Sequence, residues 1–132
     1  MALENVHWAE IHKLPCECVK KKLQCFEYKL LHRILPTNTF LFRIGNEDTP
    51  NCCFCNIQNE TTEHLFYECH HVINLWESLK LHVQNHVDLI LSMENVLFGI
   101  RNDHSAKSAN YVIILTKYYI YLCKCNDNLP NL

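Results

Sequence analysis

Residues 52–69 read CCFCNIQNETTEHLFYEC and contain the pattern C-x2-C-x8-H-x4-C, formed by Cys52, Cys55, His64 and Cys69. Two cysteines three positions apart on a tight turn can direct both sulfurs at one metal ion about 2.3 Å away, and thiolates suit zinc. The histidine and the last cysteine span the start of a helix and can complete a tetrahedron. Four protein ligands leave no position open for water, so the pattern predicts one structural, non-catalytic Zn²⁺ site.

Three neighbouring side chains are alternative ligands. Cys53 can replace Cys52, although its spacing to Cys55 gives a poorer bite for one metal ion than the C-x2-C pair does. The two histidines that directly follow the segment, His70 and His71, can replace one of its last two ligands. The remaining interpretation is that these groups are free thiols and a surface histidine. The two ligand pairs at knuckle-like spacing favour zinc over that interpretation.

The composition of the whole chain favours a single small helical domain. Its 132 residues are 48% hydrophobic and 20% charged, which is typical of a globular protein and excludes a disordered one. Two glycines and four prolines leave too few turn residues for a β-sandwich. We therefore predict one all-α domain over residues 1–132, a small multi-helix fold organised around the zinc knuckle.

Apolar residues at steps of three and four predict the first helix. This helix should be stopped by Pro36, whose ring and missing amide hydrogen are incompatible with continuation. A short second helix should begin at Thr37 or Asn38 and close at Gly45. The apolar stripe of the first helix consists of Val19, Leu23, Phe26, Leu30, Leu31 and Ile34.

Three more helices are expected after the knuckle. One should begin at Thr61 or Thr62 and continue to about His86. A short helix over 92–99 and a last helix over 106–124 should follow. The side chains expected to pack the metal site against the helical core are Leu65, Phe66, Trp76 and Leu79.

Charge is distributed unevenly along the chain. The formal net charge is −2, yet residues 1–43 carry seven Lys and Arg against four acids, whereas residues 44–69 carry five acids and no base. A phosphate-facing surface therefore belongs in the N-terminal third. The alternative is a solvated helix face, which is the commoner role of a charge run. The candidate nucleic-acid contacts are Lys20, Lys21, Lys22, Lys29 and Arg33, with Tyr28 and His32 nearby as stacking groups.

No arrangement in the sequence points to catalysis or to membrane insertion. The chain has no recognisable nucleophile–base motif, no glycine-rich phosphate loop and no paired aspartates, so we expect neither an enzyme nor a small-molecule substrate. The apolar stretch 111–123 is too short to span a bilayer. The first ten residues contain acids instead of an apolar signal core, which predicts an intracellular location in the nucleus and/or cytoplasm.

Four stretches of the sequence carry a family resemblance. They are YKLLHRILPTN at 28–38, CCFC at 52–55, ETTEHLF at 60–66, and the run from Cys69 to Trp76. Together they resemble the zinc-binding module that follows the reverse transcriptase domain in non-LTR (LINE-type) retrotransposon polyproteins. The resemblance covers residues 8–80 and leaves 81–132 as a C-terminal helical extension.

The resemblance implies a function and partners. By position, the metal ligands of that family fall on Cys52, Cys55, His64 and Cys69. The expected partners are RNA and/or DNA and the upstream reverse transcriptase domain, which the module would help to engage template RNA or target DNA at a nick. Polymerase and endonuclease active sites are absent from the chain, so an accessory role is expected. The alternatives are a zinc-stabilised platform that docks on the polymerase, or a non-functional fragment of a decayed element.

Overall fold

The fold is helical, as the composition predicts. The computed structural model describes residues 17–100 and 106–131, and this part of the chain contains no strand, only an isolated antiparallel bridge between Asn51 and Asn59. The helical elements are α1 (Glu17–Leu31), α2 (Asn38–Arg43), a π-helical turn (His64–Glu68), α3 (His70–Val83), α4 (Met93–Phe98) and α5 (Ala106–Cys125).

Part of the apolar stripe of the first helix packs against α5, and the side chain of Val19, predicted to belong to that stripe, lies outside the described residues. Leu23, Phe26 and Leu30 are all buried, and the Phe26 ring meets Tyr118 of α5 edge-on with 5.3 Å between ring centroids. Phe26 also contacts Phe66 of the π-helical turn at 6.0 Å. Helix α1 therefore contacts both the π-helical turn and the last helix.

The end of α1 differs from the prediction. The helix ends at Leu31, before Pro36, because Arg33 adopts a left-handed conformation with φ +57°. The amide of Ile34 then donates to the carbonyl of Lys29 at 2.8 Å, which is the Schellman arrangement that closes a helix. Ile34, assigned to the buried stripe from the sequence, is 55% exposed.

The single helix predicted from Thr61 or Thr62 to His86 is wrong. The chain forms one π-helical turn, breaks at Cys69 with ψ 134°, and restarts as α3. The break deprives the last carbonyls of the turn of their helical partners, and the indole N–H of Trp76 donates to the carbonyl of Phe66 at 2.8 Å. Burial of both rings holds the two segments together despite the interruption.

The remaining helix boundaries follow the predicted caps. The hydroxyls of Thr37 and Ser92 accept hydrogen bonds from first-turn amides of α2 and α4, at 3.5 and 3.2 Å. Gly45 and Gly99 follow these two helices with φ of +85° and +88°, a region that glycine enters without steric cost. No helix of the described ranges is long and apolar enough to cross a membrane.

The main apolar cluster runs from α1 to α5 and includes part of the candidate metal site, and Leu23 and Ile114 form a second, smaller cluster. The π-helical turn lies at the centre of the main cluster and packs against α3, α4 and α5. Leu65, Phe66 and Trp76 are buried in this core together with Cys52 and Cys69, and Leu79 is half-buried against it. Two of the four sulfur and nitrogen ligands thus come from residues whose positions are fixed by core packing.

Candidate metal centre

The first ligand pair lies on a tight turn whose ends are joined by the bridge between Asn51 and Asn59. The amide of Cys52 donates to the carbonyl of Gln58 at 2.7 Å, and the amide of Phe54 points back at the Cys52 sulfur at 3.4 Å. Asn56 supplies the left-handed conformation, φ +57°, that reverses the chain. Backbone hydrogen bonds therefore orient the Cys52 side chain within this turn.

The second ligand pair lies at the two ends of the π-helical turn. The hydroxyl of Thr61 accepts a hydrogen bond from the His64 amide at 3.1 Å, and the Cys69 amide donates to the His64 carbonyl at 3.0 Å. Five residues of an α-helix advance about 500°, which would leave these two side chains about 140° apart. The wider turn, closed by an i to i+5 bond, brings both onto the same side.

The four predicted ligands converge on one point. Their ligand atoms all lie within 4.8 Å of one another, with 3.9 Å between the sulfurs of Cys52 and Cys69. The Cys55 sulfur lies 3.4 Å from Nε2 of His64. Tetrahedral zinc with bonds of about 2.3 Å to sulfur and about 2.0 Å to nitrogen requires S···S and S···N separations of about 3.8 and 3.5 Å. The donor set and its spacing thus fit zinc.

The thiols affect one another strongly. A hydrogen bond from Cys53 lowers the pKa of Cys52, against burial and with help from two backbone amides, whereas the pKa of Cys53 is raised by that hydrogen bond and by burial. Burial and the nearby sulfurs of Cys52 and Cys55 raise the pKa of Cys69. A divalent cation between these groups offsets their mutual repulsion and favours the thiolates.

A buried carboxylate that the sequence did not single out supports the knuckle. Glu60 is completely buried, and its Oε2 accepts the Cys53 amide at 2.9 Å while its Oε1 accepts the Asn38 amide at 2.8 Å. The ammonium of Lys124 lies 2.7 Å from the same Oε1. In the sequence, Glu60 is one of five acids in an acidic stretch and the first residue of the ETTEHLF motif, and neither observation assigns it a role at the metal site.

The alternative ligands are placed less favourably. Cys52, Cys53 and Glu60 form a second group of compatible atoms, but both carboxylate oxygens of Glu60 are already engaged by amides and an ammonium. The rings of His70 and His71 contact each other at a tilt of 36°, with 4.1 Å between centroids, and neither residue belongs to a metal-compatible group in the described residues.

The predicted basic face lies on α1, outside the metal site. Lys21, Lys22 and Lys29 are exposed there, and none forms an ion pair with a residue that the structure describes. Arg33 differs, because its guanidinium pairs with the carboxylate of Glu63. The side chain of the remaining candidate, Lys20, is outside the described residues.

The same face carries two aromatic side chains. Tyr28 is 55% exposed, and its ring lies against the exposed imidazole of His32 at a tilt of 42°, with 4.4 Å between centroids. At about 100° per residue, positions 21, 22, 28, 29 and 32 fall within an arc of about 120°, so these rings and the lysines lie on one side of α1 and of the residue that follows it.

Comparison with known proteins identifies the family to which the metal-binding segment belongs. A family model described as zinc-binding in reverse transcriptase matches residues 3–76, which is more than half of the chain. Searches of curated proteins and of solved structures give no match. The match confirms the resemblance to a reverse-transcriptase zinc module, and the four-residue cluster supplies the ligands for one zinc ion. The chain therefore belongs to the family of zinc-binding modules of reverse transcriptases.

Proposed function

We propose that this chain is a non-catalytic accessory module of a non-LTR retrotransposon reverse transcriptase and helps the polymerase engage template RNA or target DNA. Zinc holds the knuckle against the helical core, and α1 presents the contact surface. The observation that carries the proposal is the exposed face of α1, with Lys21, Lys22 and Lys29 beside the Tyr28–His32 pair. Unpaired ammonium groups bind phosphates, and aromatic rings accept stacked bases.

The metal has a structural role in this proposal. Cys52, Cys55, His64 and Cys69 would fill all four positions of a tetrahedral zinc ion and leave none for water or substrate. The zinc therefore supplies folding energy, and recognition is left to side chains elsewhere on the module. This is why we assign no reaction to the chain.

Charge reversal on α1 tests the proposal. The triple variant Lys21→Glu, Lys22→Glu, Lys29→Glu should bind RNA and DNA more weakly and show a shallower dependence of affinity on salt, because fewer counterions are released. A second triple variant makes the same change in net charge elsewhere and serves as the control; it substitutes Glu for Arg43, Lys80 and Lys107. Equal affinities and salt slopes for both triple variants would refute the assignment of this face.

A second candidate function is docking on the polymerase through α2. This helix buries none of its residues, and Phe40, Phe42 and Ile44 are 46%, 47% and 52% exposed. Exposed apolar side chains grouped in this way are typical of a protein-interaction surface. Tight, salt-insensitive binding to a polymerase fragment, lost in Phe40→Ser/Phe42→Ser and unchanged by the lysine variants, would select this function.

A further inference from the structure

The end of the last helix reaches the metal-binding turn. Lys124, in the final turn of α5, is 11% exposed and places its ammonium 2.7 Å from Oε1 of Glu60 and 2.8 Å from Oδ1 of Asn38. The family match ends at residue 76, so this lysine lies outside the segment that the family model covers. The zinc module of this chain thus has a contact from its C-terminal extension.

Glu60 transmits that contact to the ligands. Its Oε2 accepts the amide of Cys53, the residue directly after Cys52 in the turn that carries Cys55. Its own amide donates to the carbonyl of Pro50 at 2.8 Å, which ties the two ends of the turn together. A carboxylate with no exposed surface persists only where charge and hydrogen bonds compensate it, and Lys124 is the cation that does so here.

We propose that Glu60 and Lys124 are positioning residues of the zinc site. Helix α5 therefore supplies one of the residues that support the metal centre. The pair holds the Cys52–Cys55 turn in its ligating conformation, and zinc affinity consequently depends on the docking of α5. Groups that orient metal ligands commonly change metal affinity by about 10–100-fold when they are removed. The inference concerns the metal centre alone and does not depend on the nucleic-acid role proposed above.

Competition with a chelator measures the zinc affinity of the parent and of two variants, Lys124→Met and Glu60→Gln. Each variant should bind zinc at least about tenfold more weakly than the parent. Lys124→Arg retains the cation and should restore most of the affinity. Two matched controls on the exposed side of α3, Lys80→Met and Glu77→Gln, should leave it unchanged.

A destabilised control separates positioning from general loss of stability. Leu23 packs with Ile114 in a cluster apart from the one that contains Cys52 and Cys69, so Leu23→Ala weakens the fold away from the knuckle. Co²⁺ can replace zinc as a spectroscopic probe of the ligand geometry. Its absorption bands should differ from those of the parent in Lys124→Met and should match those of the parent in Leu23→Ala. At matched thermal stability, Lys124→Met should also be the weaker zinc binder of the two.

The double variant tests whether the two residues act as a unit. Glu60→Gln/Lys124→Met should bind zinc no more weakly than the worse single variant, because each change already removes the same interaction. Parent-like zinc affinity in Lys124→Met, or the same zinc affinity as Leu23→Ala at equal stability, would overturn the proposal. If Glu60→Gln does not fold with excess zinc, the comparison of Lys124→Met with Lys124→Arg decides the question on its own.

Discussion

His64 and Cys69 are joined by a hydrogen bond from the Cys69 amide to the His64 carbonyl, 3.0 Å long, that closes one π-helical turn. Both residues are buried, and both direct a ligand atom at the same point. The wider turn reconciles a five-residue spacing with a single metal ion, which a regular α-helix does not. The π-helical turn is therefore part of the metal site, because it brings two of the four ligands together.

Lengthening this turn by one residue should abolish zinc binding. Insertion of an alanine after Glu68, an exposed residue of the turn, makes the spacing of the two ligands six. Six residues of an α-helix advance about 600°, which leaves the two side chains about 120° apart. The matched control is Glu68→Ala, which introduces an alanine at the same place but keeps the length. Zinc content by mass spectrometry should fall to zero in the insertion and stay at one in the control, and zinc retained by the insertion would show that the spacing of these two ligands is dispensable.

A buried ion pair between α1 and α5 should be costly to break. Lys117 and Glu27 are both fully buried, 3.3 Å apart, and the ammonium also donates to the carbonyl of Leu97. Lys117→Met leaves the carboxylate without this cation, and we expect a loss of about 3–5 kcal/mol in unfolding free energy. Denaturant unfolding at saturating zinc measures this loss, with Lys80→Met on the exposed side of α3 as the control. A loss no larger than that of the control would contradict this expectation.

Arg33 should tolerate glycine better than alanine. Its φ of +57° is strained for any side chain, so Arg33→Gly should be more stable than Arg33→Ala by about 1 kcal/mol. Both variants lose the exposed ion pair with Glu63, which contributes less than about 1 kcal/mol. Thermal unfolding at saturating zinc compares them, and an alanine variant as stable as the glycine variant would refute the strain argument.

The same ion pair gives a pH dependence. Burial alone would raise the pKa of Glu63, but the hydrogen bond and charge of Arg33 outweigh it and lower the pKa below 4.5. The stabilisation is therefore fully present above pH 4.5 and is lost as the pH falls through the folded-state value. The stability difference between the parent and Arg33→Gly should shift against the parent below that pH. A difference that is constant with pH would contradict this.

Stacking on α1 should contribute to nucleic-acid binding if the proposed function holds. Tyr28→Ala should weaken binding of single-stranded RNA by about 1–3 kcal/mol, the usual contribution of a stacked base. Tyr119→Ala removes another exposed tyrosine, on α5, and serves as the control. Fluorescence anisotropy with a short labelled RNA measures both affinities, and equal affinities would exclude base stacking on Tyr28.

Local chemistry made some features predictable and hid others. Thr37, Ser92 and Gly45 act through neighbours within four residues, so their sequence context sufficed to place the ends of α2 and α4. The early end of α1 escaped prediction because the apolar spacing continues to Ile34, beyond the left-handed residue that closes the helix.

The support of the metal site could not be predicted because it is non-local. The C-x2-C pattern and the His–Cys pair identify four ligand candidates, and the structure brings these four together. Glu60 opens the ETTEHLF motif, but nothing in the local sequence predicts that it is buried or pairs it with Lys124 at the far end of the chain. The π-helical turn is equally hidden, since the apolar residues on either side of it continue a helical period.

The most direct test of the account is the zinc stoichiometry of the folded chain by native mass spectrometry. The parent, Cys53→Ser and His70→Ala should each carry one zinc ion, whereas Cys55→Ser and His64→Ala should carry none and lose helical circular dichroism as well. A parent that is folded without metal, or zinc that persists in both ligand variants, would contradict the claim that these four side chains organise the fold.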